Sequence, residues 1–167
     1  LVDDHPLFLQ GLQNLLLARG LTVIGLAHSG PEAVQKTSDL LPDVVVMDLH
    51  MAGGDGLAAT RLIKAEFPAI KVVILTVSAD ESNLFAAIKN GASGFLLKSL
   101  DATQFCDQLI GLMQGETALA PGMSDYLLNE FARLAAAPGL PPADEAPLTP
   151  QQWEILGLVA DGMTYKG

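Results

Sequence analysis

Residues 43–48 read Asp-Val-Val-Val-Met-Asp, a short apolar run with a carboxylate at each end. Val44, Val45 and Val46 are β-branched, which restricts χ1 and favours a strand. No polar residue alternates with them. The pattern therefore predicts a strand buried on both faces, as in a parallel sheet covered by helices. Asp48 then stands at the carboxyl end of that strand, on the edge of an open α/β sheet where ligands bind. The glycines of residues 49–56 predict a loop after it. A carboxylate in that place can coordinate a metal, act as a nucleophile or merely cap the next turn.

The neighbouring residues set that strand in a repeating order. Leu1-Val2 reads as the tail of a first strand. Pro6 suits the first turn of a helix, where its absent N–H costs nothing, and Leu9, Leu12, Leu15 and Leu16 keep helical spacing as far as Gly20. Residues 21–27 predict a second strand centred on Val23 and Ile24. Gly30-Pro31 opens a second helix with Ala33, Val34 and Leu40 turned inward, and Pro42 ends it. Residues 56–67 predict a third helix, with Leu57, Leu62 and Ile63 on one face and Asp55 as N-cap. Residues 71–76 form another β-branched run, ending in the Thr76 hydroxyl. Ser78 and Glu81 have capping-box spacing and start a fourth helix through Leu84, Phe85 and Ile88. Residues 94–98 predict a short strand with Lys98 at its carboxyl end. Residues 101–113 predict a fifth helix with Phe105, Leu109 and Leu112 as its inner stripe. Such an alternation calls for an α/β fold, a parallel sheet with helices on both faces and right-handed crossovers.

After Gly115 the rhythm stops. Residues 124–137 predict an amphipathic helix carrying Tyr126, Leu127, Leu128 and Phe131. Residues 138–147 are acidic and proline-rich, a semi-stiff linker. Thr149 as N-cap, Pro150 at the first helical position and Gln152 three residues after the cap restart a helix at 148. The chain starts at Leu1 without methionine and stops at Gly167 inside a periodic segment, so residues are expected to be missing at both ends. Apolar residues make up 50% of the 167, enough for a sizeable core, and the net charge of −10 disfavours strong binding to phosphate backbones. The single cysteine, Cys106, excludes an internal disulfide and fits a reducing compartment. Neither a signal peptide nor an apolar run of membrane-spanning length is visible.

Four strand ends offer Asp3-Asp4, Asp48, Thr76 and Lys98, and in a parallel sheet they converge on one edge. Each has a plain reading alone: a solvated turn carboxylate, a backbone-bonded hydroxyl, a surface charge. His5 and His50 read as loop residues, since neither has a partner at ligand spacing. Together the four ends are more specific. Three adjacent carboxylates repel unless a cation offsets them, and a hard divalent ion such as Mg²⁺ fits oxygen ligands. Asp48 could then act as a nucleophile toward phosphorus, with Lys98 and the Thr76 hydroxyl on the phosphoryl oxygens.

At these residues the chain resembles the receiver domain of two-component response regulators. Leu-Val-Asp-Asp-His-Pro at 1–6, Val-Met-Asp-Leu-His-Met at 46–51, Ile-Leu-Thr-Val-Ser at 74–78 and Gly-Ala-Ser-Gly-Phe-Leu-Leu-Lys at 91–98 match that family in order and spacing. The resemblance implies a doubly wound five-stranded parallel sheet of the flavodoxin/CheY-like kind, order 2-1-3-4-5. It implies that Asp48 is the phosphoacceptor. Mg²⁺ would be held by Asp4, Asp48 and the backbone carbonyl of His50, with Asp3 assisting through water. Thr76 and Phe95 would be the switch pair, and Lys98 would pair with the phosphoryl group. It further implies a sensor histidine kinase as partner, a cytoplasmic location, room for a homodimer, no membrane partner, and a switch rather than an enzyme. A Mg²⁺-dependent phosphohydrolase is the enzyme rival, but such enzymes usually carry a second Asp where His50 stands.

Asp-Asp-His-Pro and the restart at Leu148-Thr149-Pro150 resemble the NarL/FixJ subfamily with a LuxR-type helix-turn-helix output. The chain is then expected to divide into a receiver domain (1–115), a helical and Pro-rich linker (116–147) and the beginning of a DNA-binding domain (148–167). The recognition helix that would enter the major groove is absent. The full-length protein thus resembles a DNA-binding transcription regulator, while these residues alone are not expected to bind DNA specifically. Ala52 replaces the family's usual proline and should loosen its loop, and Val77 is bulkier than usual beside the switch hydroxyl.

Overall fold

Three of the apolar runs form a sheet. A computed structural model, describing residues 1–52, 56–77 and 81–115, pairs β1 (Val44–Asp48), β2 (Lys71–Thr76) and β3 (Gly94–Leu97) in parallel, in the order β1-β2-β3. The register sets Val46 opposite Val73 and Ile74 opposite Phe95. Five helices alternate with them: α1 (Pro6–Ala18), α2 (Gly30–Leu40), α3 (Gly56–Glu66), α4 (Glu81–Lys89) and α5 (Ala102–Gln114). All described residues fall in one compact unit, Leu1–Ala118. The Asp55 and Ser78 caps, the 124–137 helix, the linker and the restart at 148 lie outside the described residues.

The two strands expected at 1–2 and 21–27 are reduced to single parallel bridges, Val2 with Ala27 and Val2 with Met47. So the sheet has three strands and two bridges rather than five strands in the order 2-1-3-4-5. Asp3 follows Val2 directly and turns into a carboxylate cluster, so the parallel pairing of Val2 with Ala27 and Met47 ends there on that side. The pairing that does form is regular: Val2 N donates to Val46 O (2.8 Å), Asp48 N to Val2 O (2.9 Å) and Asp3 N to Ala27 O (3.1 Å).

The central strands are buried on both faces, as an uninterrupted apolar run requires. One face of the sheet turns Val46, Val73, Leu75 and Leu96 onto Leu12 and Leu16 of α1 and Phe105, Cys106, Leu109 and Leu112 of α5. The period of two sends Val45, Met47, Val72 and Ile74 to the other face, where α3 packs on β1 and β2 and α4 on β3. The inner stripes of α1 and α5 follow the sequence reading. Those of α2 and α3 follow it only at Ala33 and Ile63. Leu40 and Leu62 are 43% and 52% exposed, and the buried positions are Gly30, Ala33 and Thr37 in α2 and Gly56, Ala59, Thr60 and Ile63 in α3. Spacings of three, four and seven from Gly56 define that stripe, and Leu62 falls off it. Small residues on it let α3 approach the sheet closely. Ile24 is likewise 51% exposed, because the 21–27 segment lies at the sheet's margin.

Helix ends are closed by local chemistry. Pro6 occupies the first turn of α1, and Ser29 caps α2 by accepting from Glu32 N. The Asp101 carboxylate accepts from Thr103 N and Gln104 N, both at 2.9 Å, which makes it the cap of α5 rather than its first residue. At the other end of α5, Lys71 Nζ donates to the carbonyls of Leu112 and Met113, both at 2.8 Å. A cation on a helix's terminal carbonyls is favoured by the helix dipole. Lys71→Ala is expected to cost about 1 kcal/mol, seen as a lower urea midpoint at unchanged slope. A midpoint equal to wild type would show that water replaces both bonds fully.

Candidate functional site

The carboxyl ends of the strands meet at one edge. β1 delivers Asp48, the turn after Val2 delivers Asp3 and Asp4, β2 ends in Thr76, and Lys98 follows β3 directly. One ligand atom from each of Asp3, Asp4, His5 and Asp48 lies within 4.8 Å of every other. Lys98 Nζ reaches between two of them, 2.6 Å from Asp3 Oδ2 and 3.1 Å from Asp48 Oδ2. Both of those carboxylates are buried. Phe8 lies beside the same ammonium, its ring centre 4.7 Å from Nζ.

Asp4 is held by the loop after β1. Its Oδ2 accepts from Ala52 N at 2.6 Å. Its Oδ1 is buried without a hydrogen bond, and His5 Nδ1 stands 2.8 Å from it. That contact is an ion pair only when the imidazole is protonated. The same Nδ1 stands 3.1 Å from Asp3 Oδ1, which also accepts from His5 N at 2.9 Å. His50 N donates to Asp48 Oδ1 over a long 3.4 Å, and its ring Nε2 is 3.4 Å from Asn83 Nδ2 on α4. Thr76 is fully buried, and its carbonyl accepts from Lys98 N at 2.7 Å. Phe95 is buried in β3 opposite Ile74. Val77, bulkier than usual beside the switch hydroxyl, is 71% exposed.

Charge sets the protonation behaviour of this cluster. Burial pushes the Asp48 carboxyl above its ordinary value; the Lys98 hydrogen bond opposes that and the Asp3 charge adds to it. Burial alone would lower the Lys98 ammonium, but its bonds to Asp3 and Asp48 more than offset this and hold it above the usual lysine value. The Ala52 N–H bond, with His5 and Lys98 nearby, holds Asp4 below the usual carboxylate value.

A stability prediction follows. An acid whose folded-state value is raised binds more protons folded than unfolded between the two values, so stability falls as pH rises through that window. Asp48 therefore destabilises the metal-free fold above its raised value. Asp48→Asn should stabilise that fold at neutral pH, with Lys98 still paired to Asp3. The gain should vanish below the ordinary value of 3.8. Thermal melts of both proteins between pH 3 and 8 check this, and a pH-independent difference would contradict it.

Asp3, Asp4, Asp48 and Lys98 meet at this edge with the His50 amide beside Asp48, Thr76 ends β2, and Phe95 lies inside β3. Sequence reasoning missed the His5 ring, the Phe8 ring under Lys98 and the Ala52 amide that holds Asp4. His5 was set aside for want of a nearby ligand, but its partners come from adjacent residues and, through the fold, from Asp48. The Ala52 contact uses a backbone group and leaves no side-chain signal.

Comparison with known proteins follows the same residues. A family model described as the response regulator receiver domain matches residues 1–110. The transcriptional regulatory protein LnrK of Bacillus subtilis is 33% identical over 99% of this chain and 78% of its own length. The nitrate/nitrite response regulator NarL of Escherichia coli is 31% identical over 99% of this chain and 76% of its own length. Among solved structures, a LuxR-family two-component response regulator from Aurantimonas superposes with a TM-score of 0.71 at 31% identity, covering 78% of this chain and 94% of that one. The isolated receiver domain of RcsB from Salmonella enterica, solved with the phosphomimetic BeF₃⁻, gives 0.66 at 26% identity, covering 75% and 94%. The chain has the CheY-like receiver fold, a parallel sheet flanked by helices, and it belongs to the response regulators, among relatives of the NarL/LuxR type.

Proposed function

We propose that this protein is a phosphorylation switch in which Asp48 accepts a phosphoryl group from a sensor histidine kinase. The observation that carries this reading is the cluster itself: Asp3, Asp4 and Asp48 within 4.8 Å, with the Lys98 ammonium between two of them. An Asp48 carboxylate oxygen bonds to phosphorus as the phosphorus–nitrogen bond to the donor imidazole breaks, and the electron pair leaves on that nitrogen. Lys98 exchanges its carboxylate contact for a phosphoryl oxygen as a point charge. The Thr76 hydroxyl meets another phosphoryl oxygen, and Phe95 repacks behind it. The new charge biases the surface built from α4, β3 and α5 between two arrangements, by its difference in interaction with each.

The residues fit a resident Mg²⁺. The donors are carboxylate oxygens, and the buried Asp4 Oδ1 has no hydrogen bond, which suits a ligand atom awaiting a hard cation. Asp4, Asp48 and the His50 carbonyl would hold it, with Asp3 acting through water. When bound, the ion offsets the carboxylate charge and that of the incoming phosphoryl oxygens.

The output is regulation of transcription. On this reading residues 1–115 are the receiver, 116–147 a linker and 148–167 the beginning of a LuxR-type DNA-binding domain, with DNA as partner of the full-length protein, a homodimer as its working form and the cytoplasm as its place. No helix among the described residues is long and apolar enough to cross a membrane. Intact-protein mass after incubation with a small acyl-phosphate donor tests the switch. The expected result is a gain of one phosphoryl group that requires Mg²⁺. No gain with or without the ion would leave a protein-interaction module.

A further inference from the structure

One apolar stripe of α1 repeats at every fourth residue: Phe8, Leu12 and Leu16. Leu12 and Leu16 are buried with the sheet and α5, and Phe8, partly buried, packs against the same cluster. Pro6 opens the helix directly after Asp3, Asp4 and His5. The stripe therefore rises from the core to the reactive edge and ends there in an aromatic ring.

That ring meets the Lys98 ammonium. Nζ lies over the ring, 4.7 Å from its centre, while it reaches Asp3 Oδ2 at 2.6 Å and Asp48 Oδ2 at 3.1 Å. An ammonium has three donors and no acceptor. It faces two carboxylates here and, on another side, the electron-rich face of a ring, which attracts a cation. These contacts fare differently when a phosphoryl group arrives. The Asp48 contact is given up to a phosphoryl oxygen. The shorter Asp3 contact remains, and on a flexible four-carbon stem it draws the ammonium away from phosphorus. The ring is neutral, takes no proton and is held by the core.

We infer that Phe8 is a positioning residue for phosphoryl transfer: its ring face supports the Lys98 ammonium and keeps it from closing onto Asp3 when the Asp48 contact is given up. The inference rests on the reading of Asp48 as phosphoacceptor. With an acyl phosphate as donor, an Asp48 oxygen bonds to phosphorus as the donor's phosphorus–oxygen bond breaks, and the electron pair leaves on the donor's carboxylate. Phe8 forms no bond in that step and acts only through the place of the ammonium. A ring that merely covered the rim of the core would do so whatever its electron density, and this separates the two roles.

The test places phenylalanine with one, two, three and five ring fluorines at position 8 of the full 167-residue chain, beside Phe8→Tyr and Phe8→Leu. Fluorine withdraws electron density from the ring face at nearly constant shape, so the attraction for the ammonium weakens stepwise while the packing stays. Phosphoryl uptake from a small acyl-phosphate donor with Mg²⁺ is followed by intact mass against time, and the Tm is measured for each protein. The expected rate falls in the order of fluorine number, to about a tenth of wild type at five fluorines, with no matching fall in Tm. Phe8→Leu should be about fivefold slower than wild type and Phe8→Tyr within about twofold of it. A rate that is flat across the fluorine series, a rate that follows the Tm, or a tyrosine variant as slow as the leucine one overturns the inference and leaves Phe8 as cover for the core. No uptake by the wild-type chain overturns Asp48 as phosphoacceptor, and with it any role of Phe8 in transfer, so the two failures are told apart.

Discussion

Asp48→Asn takes up no phosphoryl group above background from a small acyl-phosphate donor, with or without Mg²⁺, while its fold persists. The substitution keeps the size of the side chain and removes the nucleophilic oxygen's charge, and an amide oxygen is a poor nucleophile toward phosphorus. Lys98 keeps its 2.6 Å contact with Asp3, so the neighbouring ammonium is not left unpaired. The stabilisation expected for this variant at neutral pH separates loss of chemistry from loss of fold. Uptake at the wild-type rate would move the nucleophile to another carboxylate. Asp3 and Asp4 are the nearest, and peptide mapping of the labelled residue would distinguish them.

Gly56→Ala is the substitution with the largest expected structural effect. A Cβ at position 56 would stand 2.1 Å from the carbonyl oxygen of Asp48 and 3.2 Å from Leu49 Cα. Both are backbone atoms, so no rotamer change relieves the overlap. Either the end of β1 or the first turn of α3 must move, and the Thr60 hydroxyl bonds that turn internally by donating to Gly56 O at 2.6 Å. The expected cost is about 3 kcal/mol or more, the upper range for overpacking a tight site. Because the clash is with the backbone of Asp48 itself, phosphoryl uptake is expected to fall as well wherever the end of β1 yields. Gly11→Ala is the matched control. Its Cβ meets nothing within 4 Å in the middle of α1, so it should stabilise by about 0.5–1 kcal/mol through helix propensity. Urea denaturation of the two variants reads both signs, and a wild-type midpoint for Gly56→Ala would mean that the turn from β1 into α3 is not tight.

Gly56 also marks where sequence reading stopped. The glycine was legible as part of a loop, and the position of α3 followed from its periodicity. That a backbone oxygen eight residues earlier would occupy the space of its missing side chain was not. The same difference runs through α3. Leu57, Leu62 and Ile63 were the large apolar residues and so the natural candidates for its inner face. The sheet instead took Gly56, Ala59, Thr60 and Ile63, because close approach selects for small size as much as for apolarity.

The sequence by itself determined the layers of this protein and the residue types at its reactive edge. Uninterrupted β-branched runs have to be buried on both faces, helical spacing between them has to supply the cover, and parallel strands have to place their carboxyl ends together. Asp48, Thr76 and Lys98 were therefore readable as strand-end groups. Only the tertiary structure decided how those groups pair: Lys98 between Asp3 and Asp48, His5 against Asp4, the Ala52 amide under Asp4, Phe8 beside the ammonium. Periodicity is a property of consecutive residues, whereas these contacts join positions up to 95 residues apart, as Asp3 and Lys98 are. Their geometry exists only once the sheet has brought its ends together.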